Sequence, residues 1–340
     1  MPSQLKAIDL FSGCGGLTTG LKLAGFNVIG AVELDLKARE TYSLNHPDVP
    51  LIGSDIRSLP TNKVKKVLAL KKGELDLLAG CPPCQGFSTL RNKNRSTHAA
   101  DGRNDLIEEF ERFTINLLPK LVMMENVAGL ATYSKFQKFV RTLRDLGYTL
   151  DYKVLDVSNF GVPQRRKRLI LSANRLGRAT MANPNDYHKV NVRDAIGSLP
   201  AAGQSGDPLH DLPTLKRTPR IQTLIEAIPK NGGSRHNLPT HLQLKCHKNT
   251  SGFNDVYGRM HWDDVSPTIT SGCTNPSKGR FLHPTEDRAI TLREAALLQG
   301  FPADYKFNVA HGKEAISLMI GNALPPSFIC AHSKAMAKEI

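Results

Sequence analysis

The chain has 340 residues, of which 40% are hydrophobic, so it is long enough for two domains and can bury a substantial core. Its formal net charge of +14 favours a polyanionic partner, most often a nucleic acid, although a merely basic protein would share this composition. No run approaches the ~18 apolar residues of a membrane helix, and the six cysteines are too scattered for a disulfide scaffold, so we expect a cytoplasmic protein.

The N-terminal segment predicts a strand, a glycine-rich turn and a helix. Residues 1–6 lack the charged and apolar regions of a signal peptide and lead directly into the apolar strand 7–11. The turn at 12–16 contains three glycines, and Leu17 begins a helical pattern. Glycines allow a backbone to approach a ligand, and the N–H groups at a helix start point towards it. The pattern indicates a nucleotide site, or a tight turn without a ligand.

Acidic residues end or follow the next two predicted strands. Glu33 lies at the end of the strand 26–34, where such units place the carboxylate that accepts hydrogen bonds from a ribose. The alternative is a solvated carboxylate at a strand end. After the strand 49–52, Asp55 could accept a hydrogen bond from an exocyclic amine, and Ile56 could lie against a flat ring. A basic helix is predicted at 64–70.

A fourth apolar strand, 75–79, leads to Gly-Cys-Pro-Pro-Cys-Gln-Gly-Phe-Ser at 80–88. The two prolines stiffen the backbone just before Cys84. Because open α/β sheets place their chemistry at the carboxyl ends of the strands, we hypothesise that Cys84 is a nucleophile. The basic loop 91–104 is predicted to be a mobile lid, or else a surface insertion, and the helix 106–118 follows it.

The fifth strand, 121–124, leads to Glu125-Asn126-Val127, which puts an acid at the same predicted edge of the sheet as Cys84. A further strand is predicted at 152–157. A dense basic cluster at 164–168 precedes another apolar run, and arginines bind carboxylates, phosphates or base edges through paired donors.

From about residue 180 the regular alternation fades, and Pro, Gly, Asn and His become frequent until about residue 285. We therefore predict a catalytic and cofactor-binding domain at 1–182 plus 306–340, and an irregular second domain at 183–305. A helix should begin at Thr291, its predicted N-cap, and stop at Gly300. The turn at 320–326 opens a final apolar helix.

Taken together, these motifs resemble the DNA cytosine-5 methyltransferases. The resemblance is carried by 9–16, 82–88, Glu125-Asn126-Val127, 164–168, 293–302 and Gly321-Asn322-Ala323, in this order and spacing. It implies an α/β fold with a Rossmann-like S-adenosylmethionine-dependent methyltransferase sheet and a smaller, irregular target-recognition domain. It also implies methyl transfer to C5 of a flipped cytosine within a specific duplex sequence.

The resemblance assigns catalytic roles to four residues. Cys84 would add to C6 of cytosine, and Glu125, when protonated, would donate to N3 as the thiolate adds. Arg166 would bind the cytosine O2, and Arg168 would support it or hold a phosphate.

The implied cofactor is S-adenosylmethionine, and S-adenosylhomocysteine is the product. Glu33 would hold the ribose, Asp55 the adenine amine, and Ile56 one face of the adenine. Many members carry an aromatic residue after the ribose-binding acid, whereas this chain has Leu34. The remaining cofactor contacts implied by the resemblance are Phe11, Gly13, Gly15, Gly16, Leu17, Pro83, Leu106, Asn322 and Ala323.

The implied macromolecular substrate is double-stranded DNA, from which the target base must be flipped. The residues predicted to contact DNA near the nucleophile are Gln85, Ser88, Arg91, Arg95, Arg103 and Gln164. A restriction endonuclease that acts on the same site is the predicted partner, unless the enzyme is an orphan modification enzyme. We expect a monomer.

Other interpretations of the same motifs stay open. An RNA cytosine-5 methyltransferase could use the same scaffold, and a catalytically silent DNA-binding relative would keep the fold. Cys81 and Cys84 could form a redox pair or half of a zinc site, although a zinc site needs about four ligands and the sequence has no second Cys-x-x-Cys. An NAD-linked dehydrogenase would account for the glycine turn and Glu33, but not for the cysteine and Glu-Asn-Val motifs. We expect Cys81 to be a packed neighbour of the nucleophile.

Overall fold

The computed structural model describes residues 4–83, 106–212, 217–244, 246, 252 and 254–340. A seven-stranded sheet is its centre, with the strand order β3-β2-β1-β4-β5-β7-β6. The strands are β1 (Lys6–Leu10), β2 (Asn27–Val32), β3 (Leu51–Gly53), β4 (Leu77–Gly80), β5 (Leu121–Val127), β6 (Thr149–Asp156) and β7 (Lys167–Asn174). This confirms the predicted α/β class.

The first five strands run parallel, whereas β7 is antiparallel to both β5 and β6. Strands β1, β4 and β5 are mostly apolar and are buried along nearly their whole length, because they are central and covered on both faces. The edge strand β6 is half-exposed along much of its length. Because β1, β4 and β5 are parallel neighbours, their carboxyl ends lie side by side at one end of the sheet, the sheet rim.

Eleven α-helices are present in the described part of the chain. They are α1 (Gly16–Leu23), α2 (Leu36–Asn45), α3 (Thr61–Val67), α4 (Leu106–Leu117), α5 (Ser134–Asp145), α6 (Val192–Ile196), α7 (Pro208–Asp211), α8 (Pro219–Ala227), α9 (Leu292–Leu298), α10 (Gly312–Asn322) and α11 (Pro326–Ala337). The main hydrophobic core lies between the sheet and the apolar faces of α4 and α5, and Phe110, Phe113, Phe136 and Phe139 are fully buried there.

The contacts divide the chain into two compact units. The first comprises Met1–Phe160, Lys167–His188 and Leu324–Ile340, and it holds the whole sheet. The second comprises Gly161–Arg166 and Lys189–Ala323. The predicted assignment of residues 183–305 to target recognition stays a prediction.

The second unit is built from short helices and loops around a small apolar core and the fully buried side chain of Arg259. Arg259 is fully buried, and its guanidinium donates to the carbonyls of Ile225, Ile228 and His283 at 2.8–3.0 Å and pairs with Asp287. A single side chain thereby satisfies the backbone at the end of α8 and in the loop near residue 283. A sparse apolar core is compensated in this way by hydrogen bonds to backbone.

Helix α9 of the second unit begins as predicted. The Thr291 hydroxyl accepts from the Glu294 N–H at 3.2 Å, and the Glu294 carboxylate accepts from the Thr291 N–H at 2.7 Å. This reciprocal capping box stabilises the first turn. Gly300 follows the helix with φ 90°, a conformation that favours glycine.

One apolar helical stretch, Val309–Ala337, is long and apolar enough to cross a membrane by composition alone, but 67% of its most apolar window is buried inside the protein. The stretch is also divided by residues 323–325 into α10 and α11. Its burial is that of a core helix.

Helix α1 approaches α11 closely at Gly20, where a larger side chain would collide with α11. A Cβ atom at this position would lie 2.6 Å from both the Ile329 Cβ and the Pro326 carbonyl oxygen. Alanine is the better helix former by about 1 kcal/mol, but such a contact costs up to about 3 kcal/mol. We expect Gly20→Ala to lower the free energy of unfolding by about 2 kcal/mol in urea titrations.

Leu23→Ala is the matched control for this variant, because Leu23 lies on the same helix and is 55% exposed. We expect it to change the free energy of unfolding by less than about 0.5 kcal/mol. Unchanged stability in Gly20→Ala would mean that the two helices can separate without loss.

Candidate active site

Glu125 lies near the end of β5 and is the buried acid of the sheet rim, with only 1% of its surface exposed. In the β4–β5 register Gly80 is opposite Met124. Cys81, which directly follows β4, therefore lies beside Glu125. The Cys81 thiol donates to the Glu125 Oε2 at 3.0 Å. The Cys81 N–H in turn donates to the Leu10 carbonyl of β1 at 3.3 Å. Cys81 is therefore fixed by its backbone and contacts the acid directly.

The other oxygen of Glu125 is held by Arg168, which lies near the start of β7. Because β5 and β7 are antiparallel, Arg168 is opposite Val127, and Glu125 is opposite Ile170. Arg168 and Glu125 are thus diagonal neighbours on one face of the sheet. The Arg168 Nε lies 3.0 Å from the Glu125 Oε1. A buried carboxylate needs such a partner, because an uncompensated charge in the interior is costly.

Asn126, the middle residue of the Glu-Asn-Val motif, ties β5 to the segment after β4. Its side-chain amide donates to the Pro82 carbonyl at 2.8 Å, and its Oδ1 accepts from the Val127 N–H at 2.8 Å. Pro82 is buried, whereas Pro83 is exposed. The motif therefore supplies both an acid and an anchor for the backbone that leads to Cys84.

The predicted nucleophile and the residues around it lie outside the described residues. These are Cys84, Gln85, Ser88, Arg91, Arg95 and Arg103, together with the predicted lid at 91–104. Their roles stay predictions. Leu106, the first residue of α4, is described and is half-buried against the main core.

The glycine turn after β1 has the backbone of a binding loop. Phe11 has φ 66°, which a bulky residue rarely adopts and which is a typical mark of a functional position. Gly13 and Gly15 have φ 55° and 103°. The Gly15 carbonyl accepts from the Thr19 N–H at 2.9 Å and from its hydroxyl at 2.8 Å, and the His46 Nε2 lies 3.3 Å away. The turn is therefore held in one shape.

A buried polar network lies under this turn. The Thr18 hydroxyl donates to the Asp9 Oδ2 at 2.6 Å and lies 2.9 Å from the Tyr42 hydroxyl. Asp9 is fully buried, and its burial raises the pKa of the carboxyl to about 7, assisted by the nearby charge of Glu33. A carboxyl that is half neutral near pH 7 can lie inside the sheet without an ion pair.

Glu33 immediately follows β2, and its carboxylate is already ordered by backbone donors. One oxygen accepts from the Gly13 N–H and the other from the Asp35 N–H, each at 2.8 Å. Partial burial raises the pKa of Glu33. The carboxylate thus connects the end of β2 to the glycine turn, and its remaining lone pairs can accept from a ligand.

Asp55 follows β3 and begins a 3₁₀ helix, Ile56–Ser58, whose Arg57 N–H it caps at 3.0 Å. The Arg57 guanidinium also donates to both carboxylate oxygens, and these hydrogen bonds lower the pKa of Asp55. Ile56 is 3% exposed and packs in the main core. Asp55 is therefore stabilised as a carboxylate whose two oxygens already accept from Arg57, whereas Ile56 has little free surface.

In the second unit, Arg166 is buried and held by backbone carbonyls. Its Nη1 donates to the Ile269 carbonyl at 2.9 Å, and its Nη2 donates to the Gly321 carbonyl at 3.0 Å. Gln164 is fully buried, where its amide donates to the Gln299 Oε1 at 2.7 Å and accepts from the Ile269 N–H at 2.8 Å. The predicted contact of Gln164 with DNA would require a different side-chain arrangement, and it stays a prediction.

The Gly-Asn-Ala motif of the second unit has a steric explanation. A Cβ at Gly321 would lie 2.3 Å from the Thr270 carbonyl carbon and 2.4 Å from the Ser271 nitrogen. Only glycine lets the end of α10 approach this segment, which also supplies the Ile269 carbonyl to Arg166. Asn322 is the last residue of α10, and the Ala323 N–H continues its hydrogen bonds. Their predicted cofactor contacts stay predictions.

Several functional contacts were missed by the sequence reasoning. Neither the bond from Cys81 to Glu125 nor the role of Asn126 in holding Pro82 is visible before the β4–β5 register is known. The sequence predicts only packing for Cys81, whereas the structure shows its thiol hydrogen-bonded to the acid. The contact of His46 with the Gly15 carbonyl joins residues far apart in the sequence, and no local signal predicts it.

Comparison with known proteins identifies the relatives of this chain. A family model described as C-5 cytosine-specific DNA methylase matches residues 5–338. The chain is 36% identical to the Type II methylase M.HgiDII of Herpetosiphon aurantiacus, over 98% of this chain and 94% of that protein. It is 34% identical to the Type II methyltransferase M1.HphI of Haemophilus parahaemolyticus, over 98% and 87% of the two chains.

A solved structure has a similar fold. A DNA modification methyltransferase encoded within an E. coli prophage has a TM-score of 0.69 to this chain at 25% identity, over 98% of this chain and 99% of that one. The sequence and structural matches therefore extend over nearly the whole chain.

The buried Asp9 carboxyl makes the stability of the folded chain depend on pH. Burial raises the pKa of Asp9 from 3.8 to about 7, so the folded state holds this proton more tightly than the unfolded state. The stability that Asp9 contributes is therefore fully present below about pH 4 and is lost as the pH rises through about 7, by up to about 4 kcal/mol.

We expect Asp9→Asn to remove this dependence, because the amide does not ionise. Urea unfolding of the cofactor-free wild type and variant between about pH 4 and pH 8 should show the difference in stability moving in favour of the variant. Other titrating groups largely cancel in this comparison. A difference that stays constant across the range would contradict the assigned pKa.

Proposed function

The chain belongs to the C-5 cytosine-specific DNA methylase family, and we propose that it methylates C5 of a flipped cytosine in duplex DNA with S-adenosylmethionine as methyl donor. The observation that carries the mechanism is the buried Glu125, held by Cys81 and Arg168 at the end of the strand next to the one that leads to Cys84. A buried acid beside a cysteine-bearing turn fits an addition reaction on a base.

The proposed reaction begins at Cys84. Its thiolate forms a bond to C6 of cytosine, the C5–C6 electron pair shifts to form a C4–C5 double bond, and the pair released from C4–N3 takes a proton from Glu125. The product is an enamine whose C5 is nucleophilic. After methylation a water molecule takes the C5 proton, and the C5–H electron pair re-forms the C5–C6 double bond while the C6–S pair leaves with Cys84 as a thiolate. N3 returns its proton to Glu125.

In this mechanism Glu125 alternates between acid and carboxylate. Arg168 contacts its Oε1, so the negative charge that forms when N3 is protonated has a partner already in place. Preorganised partners of this kind need no rearrangement during the reaction. The role predicted for Arg166 at the cytosine O2 rests on the sequence motif alone.

The residues of the first unit fit S-adenosylmethionine. Glu33 offers a carboxylate beside the glycine turn for the ribose hydroxyls, and Asp55 offers an acceptor for the adenine amine. An added Cβ at Gly13 would meet no atom of the described residues within 4 Å, so among these residues nothing packs against the turn at this point. Gly15, Gly16 and Leu17 continue this turn, with Phe11 before it. When bound, S-adenosylmethionine supplies an electrophilic methyl group on its sulfonium.

Double-stranded DNA is the proposed substrate, and the net charge of +14 supports a polyanionic one. We assign target recognition to the second unit, because its loops carry basic and amide side chains suited to phosphates and base edges. The relatives named as Type II enzymes support a place in a restriction-modification system, with an endonuclease that acts on the same site. We further propose a cytoplasmic monomer, because one active site suffices for the chemistry.

An assay of methyl transfer tests this proposal. Tritiated S-adenosylmethionine is supplied with unmethylated duplex DNA or with tRNA under single-turnover conditions. We expect label in DNA at cytosine C5. Label only in tRNA would support the RNA alternative, and no label in either would support the silent DNA-binding relative.

Cys84→Ser should abolish methyl transfer, because a serine hydroxyl is far less nucleophilic than a thiolate near neutral pH. The matched control is Cys330→Ser, which changes a half-buried free cysteine on α11 outside the proposed chemistry and should leave the rate unchanged. Persistent transfer in Cys84→Ser would assign the nucleophile to another residue.

Glu33→Gln should weaken cofactor binding by about tenfold to a hundredfold, because a hydrogen bond to a charged group is worth about 1.5–3 kcal/mol. Isothermal titration with S-adenosylhomocysteine measures the dissociation constant directly. Glu40→Gln, an exposed change on α2, should leave it unaltered. Equal affinities of Glu33→Gln and wild type would exclude Glu33 from the cofactor site.

A further inference from the structure

We propose that Cys81 is a positioning residue for the acid: its thiol holds the Glu125 Oε2 and stabilises the carboxylate that forms when Glu125 protonates the base. This inference rests on the proposed function. It assigns a role to the first cysteine of the Cys-Pro-Pro-Cys segment, which neither a redox pair nor simple packing provides.

The geometry around Cys81 leaves it little freedom. Its N–H bonds to the Leu10 carbonyl of the neighbouring strand, and the following Pro82 is held through its carbonyl by Asn126. The Sγ therefore approaches the Glu125 Oε2 from a fixed backbone position, at 3.0 Å. The donor is attached to β4, and the acceptor to β5.

The two oxygens of Glu125 have different partners. This difference determines which oxygen is protonated in the neutral acid. Oε1 faces the guanidinium of Arg168 at 3.0 Å, so a proton on Oε1 would break an ion pair inside the protein. Oε2 faces the neutral thiol of Cys81. The proton that passes to N3 of cytosine is therefore carried by Oε2.

A thiol suits an oxygen that must be protonated in one step and ionised in the next. It is a weak donor through S–H and a weak acceptor through sulfur, and it can rotate between the two. A serine hydroxyl would donate more strongly and favour the carboxylate, whereas alanine would offer no donor to the charge that forms. Cysteine lets Glu125 alternate at small cost.

The balance of the step is simple. The O–H bond at Oε2 breaks, an N3–H bond forms, and the electron pair of the O–H bond stays on Oε2. The S–H of Cys81 donates to that oxygen while Arg168 neutralises the other. Cys81 exchanges no electron and no proton with the substrate, so it acts through Glu125.

The test compares Cys81→Ala, Cys81→Ser and wild type in single-turnover methyl transfer with saturating cofactor and DNA, across pH. We expect Cys81→Ala to react about tenfold to a hundredfold more slowly, as for a lost hydrogen bond to a charged group. Its dissociation constants for DNA and S-adenosylhomocysteine should stay within about twofold of wild type, since Cys81 is not assigned to binding.

The pH profile separates positioning from a structural effect. Activity requires protonated Glu125, and loss of a donor disfavours the carboxylate, so the alkaline limb of Cys81→Ala should move to higher pH. Cys81→Ser keeps a donor, and a stronger one, so it should recover most of the rate and its alkaline limb should lie below the wild-type position. Cys330→Ala, at a half-buried free thiol on α11 outside the proposed site, should match wild type throughout.

Each outcome decides the inference. If wild type is active and Cys81→Ala shows an unchanged rate and pH profile, the inference is wrong, while the proposed function stands. If Cys81→Ala fails to fold, the decision passes to Cys81→Ser, whose alkaline limb must then lie below that of wild type; an unshifted limb overturns the inference. If wild type itself transfers no methyl group to DNA, it is the proposed function that fails.

Discussion

The carboxylate of Glu125 is the group on which the arrangement of the rim depends. It is almost fully buried, and a charge in that position is tolerated only with partners at hydrogen-bonding distance. Cys81 and Arg168 meet this requirement from two different strands. A slip of one residue in either β4 or β7 would turn the required side chain to the other face of the sheet. The contacts of Glu125 therefore depend on the register in which β4, β5 and β7 pair.

Two buried arginines of the second unit, Arg259 and Arg166, bind mainly backbone carbonyls. Arg259 binds carbonyls at the end of α8 and near residue 283, and Arg166 binds those of Ile269 and Gly321. A carbonyl has no charge to titrate and cannot rotate away, so a guanidinium bound in this way is fixed in place at every ordinary pH. In the irregular second unit these hydrogen bonds contribute to stability, whereas the first unit is stabilised mainly by its large apolar core.

The predictable part of the structure is the part that local pattern determines. Short segments of sequence are enough to recognise the mostly apolar strands β1, β4 and β5. They are also enough to recognise the N-terminal cap of α9 at Thr291. Helix α5 has a recognisable helical pattern, although it is not among the elements predicted from the sequence. Its buried apolar residues follow a helical spacing: Phe136, Phe139, Val140 and Leu143. Helix α2 has no such stripe and is started by the Asp35 cap. The contacts of Cys81, His46 and Arg166 depend on pairing between distant segments, which no single window contains.

The antiparallel direction of β7 explains why a basic motif that precedes a strand can serve a site at the carboxyl edge. In a purely parallel sheet, residues before a strand lie at the opposite edge from residues that follow one. Because β7 runs against β5, its first residues lie beside the last residues of β5, and Arg168 is paired with Val127. Glu125 comes from near the end of one strand and its arginine from near the start of another. Reversal of one strand thus brings two motifs, far apart in the chain, to the same carboxylate.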